Sequence, residues 1–459
     1  MTKVIGIDLG TTFSAIASLD DLGNPEVLAS IEDNRKITAS AVYLKDNEVI
    51  VGDKALTYLK DQSNNVILQT KREMENDVVY STDQGKWVSD TELVDAYTPA
   101  QVSALILKKL KEYTSDVKKV VITVPAMFAE KARQATLDAA KIADLEVIEL
   151  INEPTAAVLH YASLPGVEVG GRVMIFDLGG GTFDVTFAEV KNKKVDVMTS
   201  RGDKYLGGRD FDKEITKLMK KKYFDVHNIE IDIENNKEYI HKAEEVKKIL
   251  SVKDKANIEI NGPKGLQKIE ITQDEFEESI QTYIEKIKML IEEAMDASGM
   301  NPSRINQTLL VGGSTRMPII TKVLTQLMGK APVKGVNVDE AVVCGAAIYA
   351  GLKTEKETLS DEQQEALKDV NLTDVCNFYM GTLAYVTDNH TNRKVVANTI
   401  IIERDAKLPV SVTKRYTTIS EGQEELECNV TQSEGPEDNK EFVNIIHEEM
   451  LKLPKGRPA

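Results

Sequence analysis

The 459-residue chain lacks several features that would place it quickly. It has no excess of positive charge: 57 lysines and arginines face 74 aspartates and glutamates, for a net charge of −17, which argues against a nucleic-acid-binding surface. It contains no run of 18 apolar residues, so no transmembrane helix and no membrane partner are expected. Met1-Thr2-Lys3 leads straight into a strand-like run, leaving no room for a signal peptide. Cysteine is scarce. Cys344, Cys376 and Cys428 are odd in number and scattered without CxxC spacing, the pattern of reduced thiols in a cytoplasmic protein. The five histidines show no HExxH-type spacing and none is assigned to zinc. Without a secretory route, the Asn-x-Thr triplets at Asn306, Asn371, Asn389 and Asn429 read as chance matches. What is left is a soluble acidic chain, long enough for two or three domains with well-buried cores.

The organising stretch is VMIFDLGGGTFDVTFAEV, residues 173–190. An apolar run of the kind a buried strand shows ends at Asp177. Gly179, Gly180, Gly181, Thr182 and Asp184 follow before apolar alternation resumes. Three consecutive glycines inside a strand pattern are costly unless the backbone must pass close to something. A side-chain-free turn exposes N–H groups that cup phosphate oxygens. The flanking carboxylates suit Mg²⁺, which prefers oxygen ligands and keeps much of its hydration. Alone, the stretch also reads as a glycine-rich hairpin. The N-terminus repeats the plan, however: VIGIDLGTTFSAIA, with Asp8, Gly10, Thr11, Thr12 and Phe13 between two strand-like runs. Two copies of one strand–Asp–Gly–Thr–strand device suggest duplicated lobes facing one nucleotide.

The pair IDLGTTFS and FDLGGGTFD resembles the phosphate loops of the seventy-kilodalton heat-shock chaperone family, within the actin and sugar-kinase group of ATPases. Further matches follow in the family's order: VGDKA (51–55), TKRE (70–73), VITVPAMF (121–128), INEPTAAVL (151–159), YLGGRDFD (205–212), LLVGGSTRMP (309–318) and VDEAVVCGAA (338–347). The implied fold is α/β, with duplicated actin-like, ribonuclease H-like lobes over 1–352, a linker over 353–375 and a small β-sandwich domain over 376–459. The resemblance implies ATP/ADP and Mg²⁺ as cofactors, with Asp8 and Asp177 holding the metal mostly through water. Lys71, Glu153, Asp177 and Thr182 are implied as the catalytic set. Glu153, just before Pro154, also suits a plain capping role at a helix start. Gly207 and Gly208 are implied as backbone contacts near the phosphates and ribose.

Glu244, Lys247 and Ser251 recur at i, i+3 and i+7, so they share one helix face. By itself that is a solvated charged face. The resemblance makes it the ribose and adenine face and adds Lys248, which stands where the family often carries a base-stacking arginine. A buried strand running into Gly312, Gly313 and Ser314 opens a helix that favours an anion or the adenosine edge, with Arg316 beside it. Asp339 reads either as an N-cap or as a nucleotide-side residue. Helical periodicity marks 99–113, 129–143, 239–250 and the acidic region 273–298.

Beyond 352 the chain turns polar through 353–368, as a linker or exposed helix would. Five strand-like segments follow, at 378–387, 394–403, 409–419, 424–432 and 441–447, punctuated by turn residues, as in a small sandwich. The resemblance implies a domain that holds extended apolar peptide by main-chain hydrogen bonds. Ile419 and Leu426 fall near its pocket, or are ordinary core residues. This domain is expected to be incomplete at its C-terminus. The stretch Val370-Asn-Leu-Thr-Asp374 places Asn371 and Thr373 where the family's linker carries leucines, so weaker coupling is expected. The implied function is an ATP-dependent chaperone acting on unfolded or extended polypeptides, with a J-domain co-chaperone and a nucleotide-exchange factor as further partners. A small-molecule kinase or a filament-forming ATPase would use the same ATP core.

Overall fold

The computed structural model describes residues 4–454 apart from 47, 116, 118, 165–170, 334–336 and 388–391. The Met1–Lys3 start, the Asn389 triplet and residues 455–459 lie outside the described residues.

Two sheets repeat one plan. In the first, Ile5–Asp8 pairs antiparallel with Phe13–Leu19 and parallel with Lys119–Val124, which pairs with Glu146–Asn152. In the second, Gly171–Leu178 pairs antiparallel with Phe183–Lys191 and parallel with Gln307–Val311. Asp8 and Asp177 thus occupy equivalent places, each near the end of the first strand of its sheet, just before a turn. The duplicated lobes expected from the two loops are present. Each lobe has its own apolar core, and a third cluster draws on both sheets.

That shared cluster is built where two alanine-rich helices, Glu153–Ser163 and Ala341–Lys353, cross between the sheets. Ala341–Lys353 also packs on Ile5–Asp8, and Glu153–Ser163 on Phe183–Lys191. The crossing is close because small residues meet there. A Cβ at Gly345 would lie 1.8 Å from the Ala156 carbonyl oxygen, and one at Gly6 would lie 2.2 Å from the Ala347 nitrogen. The apolar run 341–351 is buried throughout, as expected of a helix that is hydrophobic on every side.

The helices expected from periodicity form with small shifts at their ends: Pro99–Lys111, Glu130–Ile142 and Lys237–Leu250. The acidic region 273–298 is two helices, Gln273–Ser279 and Gln281–Ser298. Part of the polar stretch 353–368 packs against the first lobe. Leu359 and Leu367 join the shared core, and the Gln363 side-chain amide donates to the Asp20 carbonyl (2.9 Å). Its helix, Asp361–Leu367, is opened by a Ser360 capping box.

Asn371–Thr373 forms a strand, added parallel to the edge strand Lys194–Asp203 of the second sheet. Asn371 faces solvent there, Leu372 and Thr373 are half-buried, and Val370 and Val375 are buried. The polar Asn371 therefore removes no buried apolar area from the docked linker.

The last domain contributes a four-stranded antiparallel sheet in the order Lys394–Ile402, Tyr379–Thr387, Glu425–Ser433, Asn444–Lys452. The 409–419 segment, expected as a strand, runs without ladder pairing. The 441–447 segment is divided between a short 3₁₀ turn, Lys440–Phe442, and the strand from Asn444. This domain seats on the two lobes. Asp405 pairs with Arg201 (2.9 Å) and accepts from Thr199 (2.8 Å), and the Gln432 side chain accepts from the Glu130 N–H (3.0 Å).

Two stability tests follow. Gly345→Ala should lower unfolding free energy by about 1–3 kcal/mol, the usual cost of overpacking a rigid contact, and an unchanged denaturant midpoint would show that the helices separate freely. His160, on the helix Glu153–Ser163, has a buried Nδ1 without a partner, and burial pushes its imidazole down to about 4. The unfolded chain therefore takes up the proton first. The histidine's contribution is complete above about pH 6.5 and lost as pH falls towards 4, a difference on the order of 3 kcal/mol. His160→Leu should flatten the acid limb of stability against pH relative to wild type. Parallel limbs would contradict this.

Candidate functional site

Between the lobes lies a cavity of about 880 Å³, within the range of sites that enclose a small molecule. Asp8, Gly10, Thr11, Thr12, Phe13, Lys71, Glu153, Asp177, Gly179, Gly180 and Thr182 line it, as do Glu244, Lys247, Lys248, Ser251, Gly312, Gly313, Ser314, Arg316 and Asp339. Residues chosen from seven separate stretches of sequence thus meet at one place. Gly181, Gly207 and Gly208 do not line it. They form the layer behind.

The glycines are required by how closely the two loops approach each other. A Cβ on Gly180 would fall 1.9 Å from the Thr12 hydroxyl oxygen, and one on Gly181 would fall 2.7 Å from that of Thr11. Behind them, a Cβ on Gly207 would meet the Gly181 nitrogen at 2.6 Å. This layer is stitched by the Gly208 and Arg209 N–H groups, which donate to the carbonyls of Gly179 (2.9 Å) and Gly180 (2.8 Å). On the other side the Ser40 hydroxyl donates to the Gly10 carbonyl (2.8 Å).

Below the loops lies an acidic floor. Asp8 accepts from the Thr123 hydroxyl (2.8 Å). The Lys71 ammonium, from the 3₁₀ turn Thr70–Glu73, forms a buried ion pair with Glu153. Asp177 is buried and its Oδ2 has no partner. Burial, then the charges of Glu153, Asp184 and Asp8, pushes the Asp177 carboxyl well above its usual range. Burial also raises Asp8 and Glu153, with Lys71 opposing. Asp184 accepts from the Ala126 N–H (3.2 Å) and is pushed up to about 7 by burial and then by Glu153. Four carboxylates share one ammonium, so the floor calls for further positive charge.

The opposite wall is a set of paired charges. Lys248 contacts Glu244 (3.0 Å), and Lys247 contacts Asp212 (2.7 Å) and donates to the Gly208 carbonyl (2.9 Å). Ser251 donates to the Lys247 carbonyl and Ser314 to the Gly179 carbonyl, each at 2.9 Å. Gly312, at φ +82°, presses on the Leu178 carbonyl, where a Cβ would come within 2.5 Å. Asp339 is bidentate with Arg316, both contacts at 2.8 Å. It is not the helix N-cap, a position held by Glu340. Lys237 bridges the lobes nearby: its ammonium, on the helix Lys237–Leu250, donates to the carbonyls of Ser63 (2.9 Å) and Val66 (2.8 Å).

Sequence reasoning assigned no role to Arg209, Asp212 or the ion pair between Arg72 and Asp210. The signal was in YLGGRDFD and TKRE, where charges flank glycines or a known lysine. Which charge meets which is settled only in three dimensions. For Asp184, one of the two carboxylates flanking the glycines, sequence reasoning gave only suitability for Mg²⁺ and not its contact with the Ala126 N–H.

The site reaches the linker and the last domain by short contacts. Asn152, next to Glu153, donates to Asp374 (3.1 Å), as does Thr155 (3.1 Å), and Arg133 donates to Asn152 (2.6 Å). Ala126, whose N–H meets Asp184, accepts through its carbonyl from Asn377 (2.8 Å). Ile419 and Leu426 lie outside the cavity, in the last domain. Ile419 is half exposed and its N–H donates to the Gln423 side chain (3.1 Å), which in turn donates to the Glu425 carbonyl (2.7 Å) beside Leu426. Leu426 pairs with Leu451 across the sheet. Gln423 thereby ties the unpaired segment to the start of the strand.

Comparison with known proteins agrees with this arrangement. A family model described as Hsp70 protein matches residues 4–458. The chain is similar to a chaperone protein dnaK of Thalassiosira pseudonana, 34% identical over 488 aligned residues, covering 100% of this chain and 77% of that protein. The two glycine loops, the acidic floor between them and a match over nearly the whole length lead to one conclusion: this chain belongs to the Hsp70 family.

Proposed function

We propose that Lys71, Glu153, Asp177 and Thr182 position the water that attacks the terminal phosphoryl group of ATP and offset the charge that moves. As a member of the Hsp70 family the protein is an ATP-dependent chaperone: it binds ATP and ADP, hydrolyses ATP and acts on unfolded polypeptides. The observation that carries the site assignment is the single ammonium of Lys71 buried among carboxylates directly beneath two facing glycine loops. Phosphoryl transfer asks the protein chiefly to position and neutralise. Thr11, Thr12 and residues 179–182 offer hydroxyls and N–H groups to the β- and γ-phosphates. Glu153, fixed by Lys71, orders the water. The wall of Glu244, Lys247, Lys248, Ser251, Gly312, Gly313, Ser314, Arg316 and Asp339 takes the adenosine, with Gly207 and Gly208 supporting the loops from behind.

The acidic floor suits a hard divalent cation, because Asp177 Oδ2 is a buried oxygen without a partner and the nearby donors are carboxylates. Mg²⁺ would be held by Asp8 and Asp177, mostly through water; among the described residues no three His, Cys, Asp or Glu side chains are grouped to ligate a metal directly. When bound, the ion neutralises charge on the phosphate oxygens.

The domain reading is an ATPase domain over 1–352, a connector over 353–375 and a peptide-binding β-domain over 376–459, with Ile419 and Leu426 beside the peptide. Exposed apolar residues in that domain, among them Tyr416, Ile419, Ile445 and Met450, support a surface for apolar chain. A J-domain co-chaperone and a nucleotide-exchange factor are the partners the family suggests, and the cytoplasm its location. Among the described residues no helix is long and apolar enough to cross a membrane. The kinase and filament readings leave the β-domain without a task, and the family match does not favour them.

Lys71→Ala tests the assignment. It should keep ATP binding within a few fold while slowing single-turnover hydrolysis by at least about 10-fold, or about 1.4 kcal/mol. Hydrolysis near the wild-type rate would remove Lys71 from the catalytic set.

A further inference from the structure

The cavity is lined by five lysine and arginine side chains: Lys71, Arg209, Lys247, Lys248 and Arg316. Four have carboxylate partners, namely Glu153, Asp212, Glu244 and Asp339. Among the described residues the Arg209 side chain has neither a hydrogen bond nor an ion pair, and its Nε is buried without a partner. The acids around it are committed elsewhere. Asp212 is held by Lys247. Asp210 is held by Arg72 and by the Gly207 N–H (2.9 Å). Glu244 is held by Lys248.

The position of this residue is fixed by the phosphate loop itself. The Arg209 N–H donates to the Gly180 carbonyl at 2.8 Å, one residue along from the Gly208 contact to Gly179. Burial lowers the guanidinium to about 10, with Arg72 opposing its charge and Asp212, Asp210 and Glu244 favouring it. It stays charged at neutral pH. A half-buried cation without a partner costs free energy in the empty protein. That cost is offset if a ligand brings the missing counter-charge. A guanidinium is also the side chain that best matches phosphate, through a planar fork of N–H donors.

We propose that Arg209 binds the phosphate chain of the nucleotide and makes the site prefer nucleoside di- and triphosphates over the bare nucleoside. This rests on the reading of the cavity as the ATP site. Arg209 is assigned a positioning and specificity role here, separate from the set that handles the attacking water. Its guanidinium completes the charge balance that Lys71 alone begins: one cation below the loops among carboxylates, one at their side and open to an anion.

The experiment is calorimetric titration of the full chain with adenosine, ADP and ATP, for wild type, Arg209→Ala, Arg209→Lys and Gly180→Val, with thermal unfolding of each ligand-free protein as the check on folding. The proposal expects Arg209→Ala to bind ADP and ATP at least about 10-fold more weakly, to bind adenosine as wild type does, and to unfold at the same or a higher temperature. Arg209→Lys should recover part of the loss, since it restores the charge without the fork. Equal weakening for adenosine and ATP would overturn the phosphate assignment. So would unchanged ATP affinity in Arg209→Ala. Gly180→Val separates the two layers of argument, because its side chain collides with Thr12 between the loops. If that variant folds and loses ATP binding while Arg209→Ala does not, only the arginine proposal falls. If neither variant affects ATP binding, the reading of the cavity falls with it.

Discussion

The structure depends on one electrostatic constraint: a single buried ammonium, Lys71, set among the carboxylates of Asp8, Glu153, Asp177 and Asp184 where the two lobes meet. Such a cluster does not stabilise the fold for its own sake, because taking charges out of water costs more than a buried pair usually returns. It is kept where charge must be handled. The surrounding architecture serves to hold it: each lobe places one of the aspartates at or next to the end of a strand, and a glycine-containing turn follows each strand. The two turns then approach until glycine is the only residue that fits.

The same elements reach outwards. The helix that begins at Glu153 has Asn152 at its cap position and Thr155 in its first turn, and both donate to Asp374 of the connector. The peptide unit at Ala126 lies between Asp184 on the nucleotide side and Asn377 on the other. Three hydrogen bonds, from Asn152 and Thr155 to Asp374 and from Asn377 to the Ala126 carbonyl, therefore join the acidic floor to the segment that leads into the β-domain. The connector is itself a strand of the second sheet. The ATPase lobes and the β-domain are held together by backbone pairing, buried valines and ion pairs such as Arg201 with Asp405. These contacts are the physical link that any coupling between the cleft and the β-domain requires.

Much of this was legible in the sequence, for a physical reason. The two facing loops are defined by close backbone approach, so glycine, aspartate and threonine at short spacing spell them locally, and the two copies announce the duplicated lobes. Helices with clear periodicity were placed to within a few residues. The less legible parts depended on partners distant in the chain. The polar stretch 353–368 hides Leu359 and Leu367, which bury only because the first lobe offers a surface. The 409–419 segment has strand composition, yet it forms no ladder with either outer strand of the sheet, Lys394–Ile402 or Asn444–Lys452. Asn371 looked like a lost leucine, yet its side of the docked strand faces water. Arg209 was written beside two glycines in plain view, but its lack of a partner became visible only once its neighbours were seen to be paired.

The central claim is that nucleotide in the cleft governs how tightly the β-domain holds an extended apolar chain. It is tested most directly by fluorescence anisotropy of a labelled unfolded apolar peptide titrated with the full chain, first with ADP and then with ATP. A coupling of about 1–3 kcal/mol corresponds to affinities that differ by roughly 5- to 150-fold. The account predicts binding at least about 5-fold weaker with ATP than with ADP. Equal affinity in the two nucleotide states, with ATP shown to occupy the site, would contradict it.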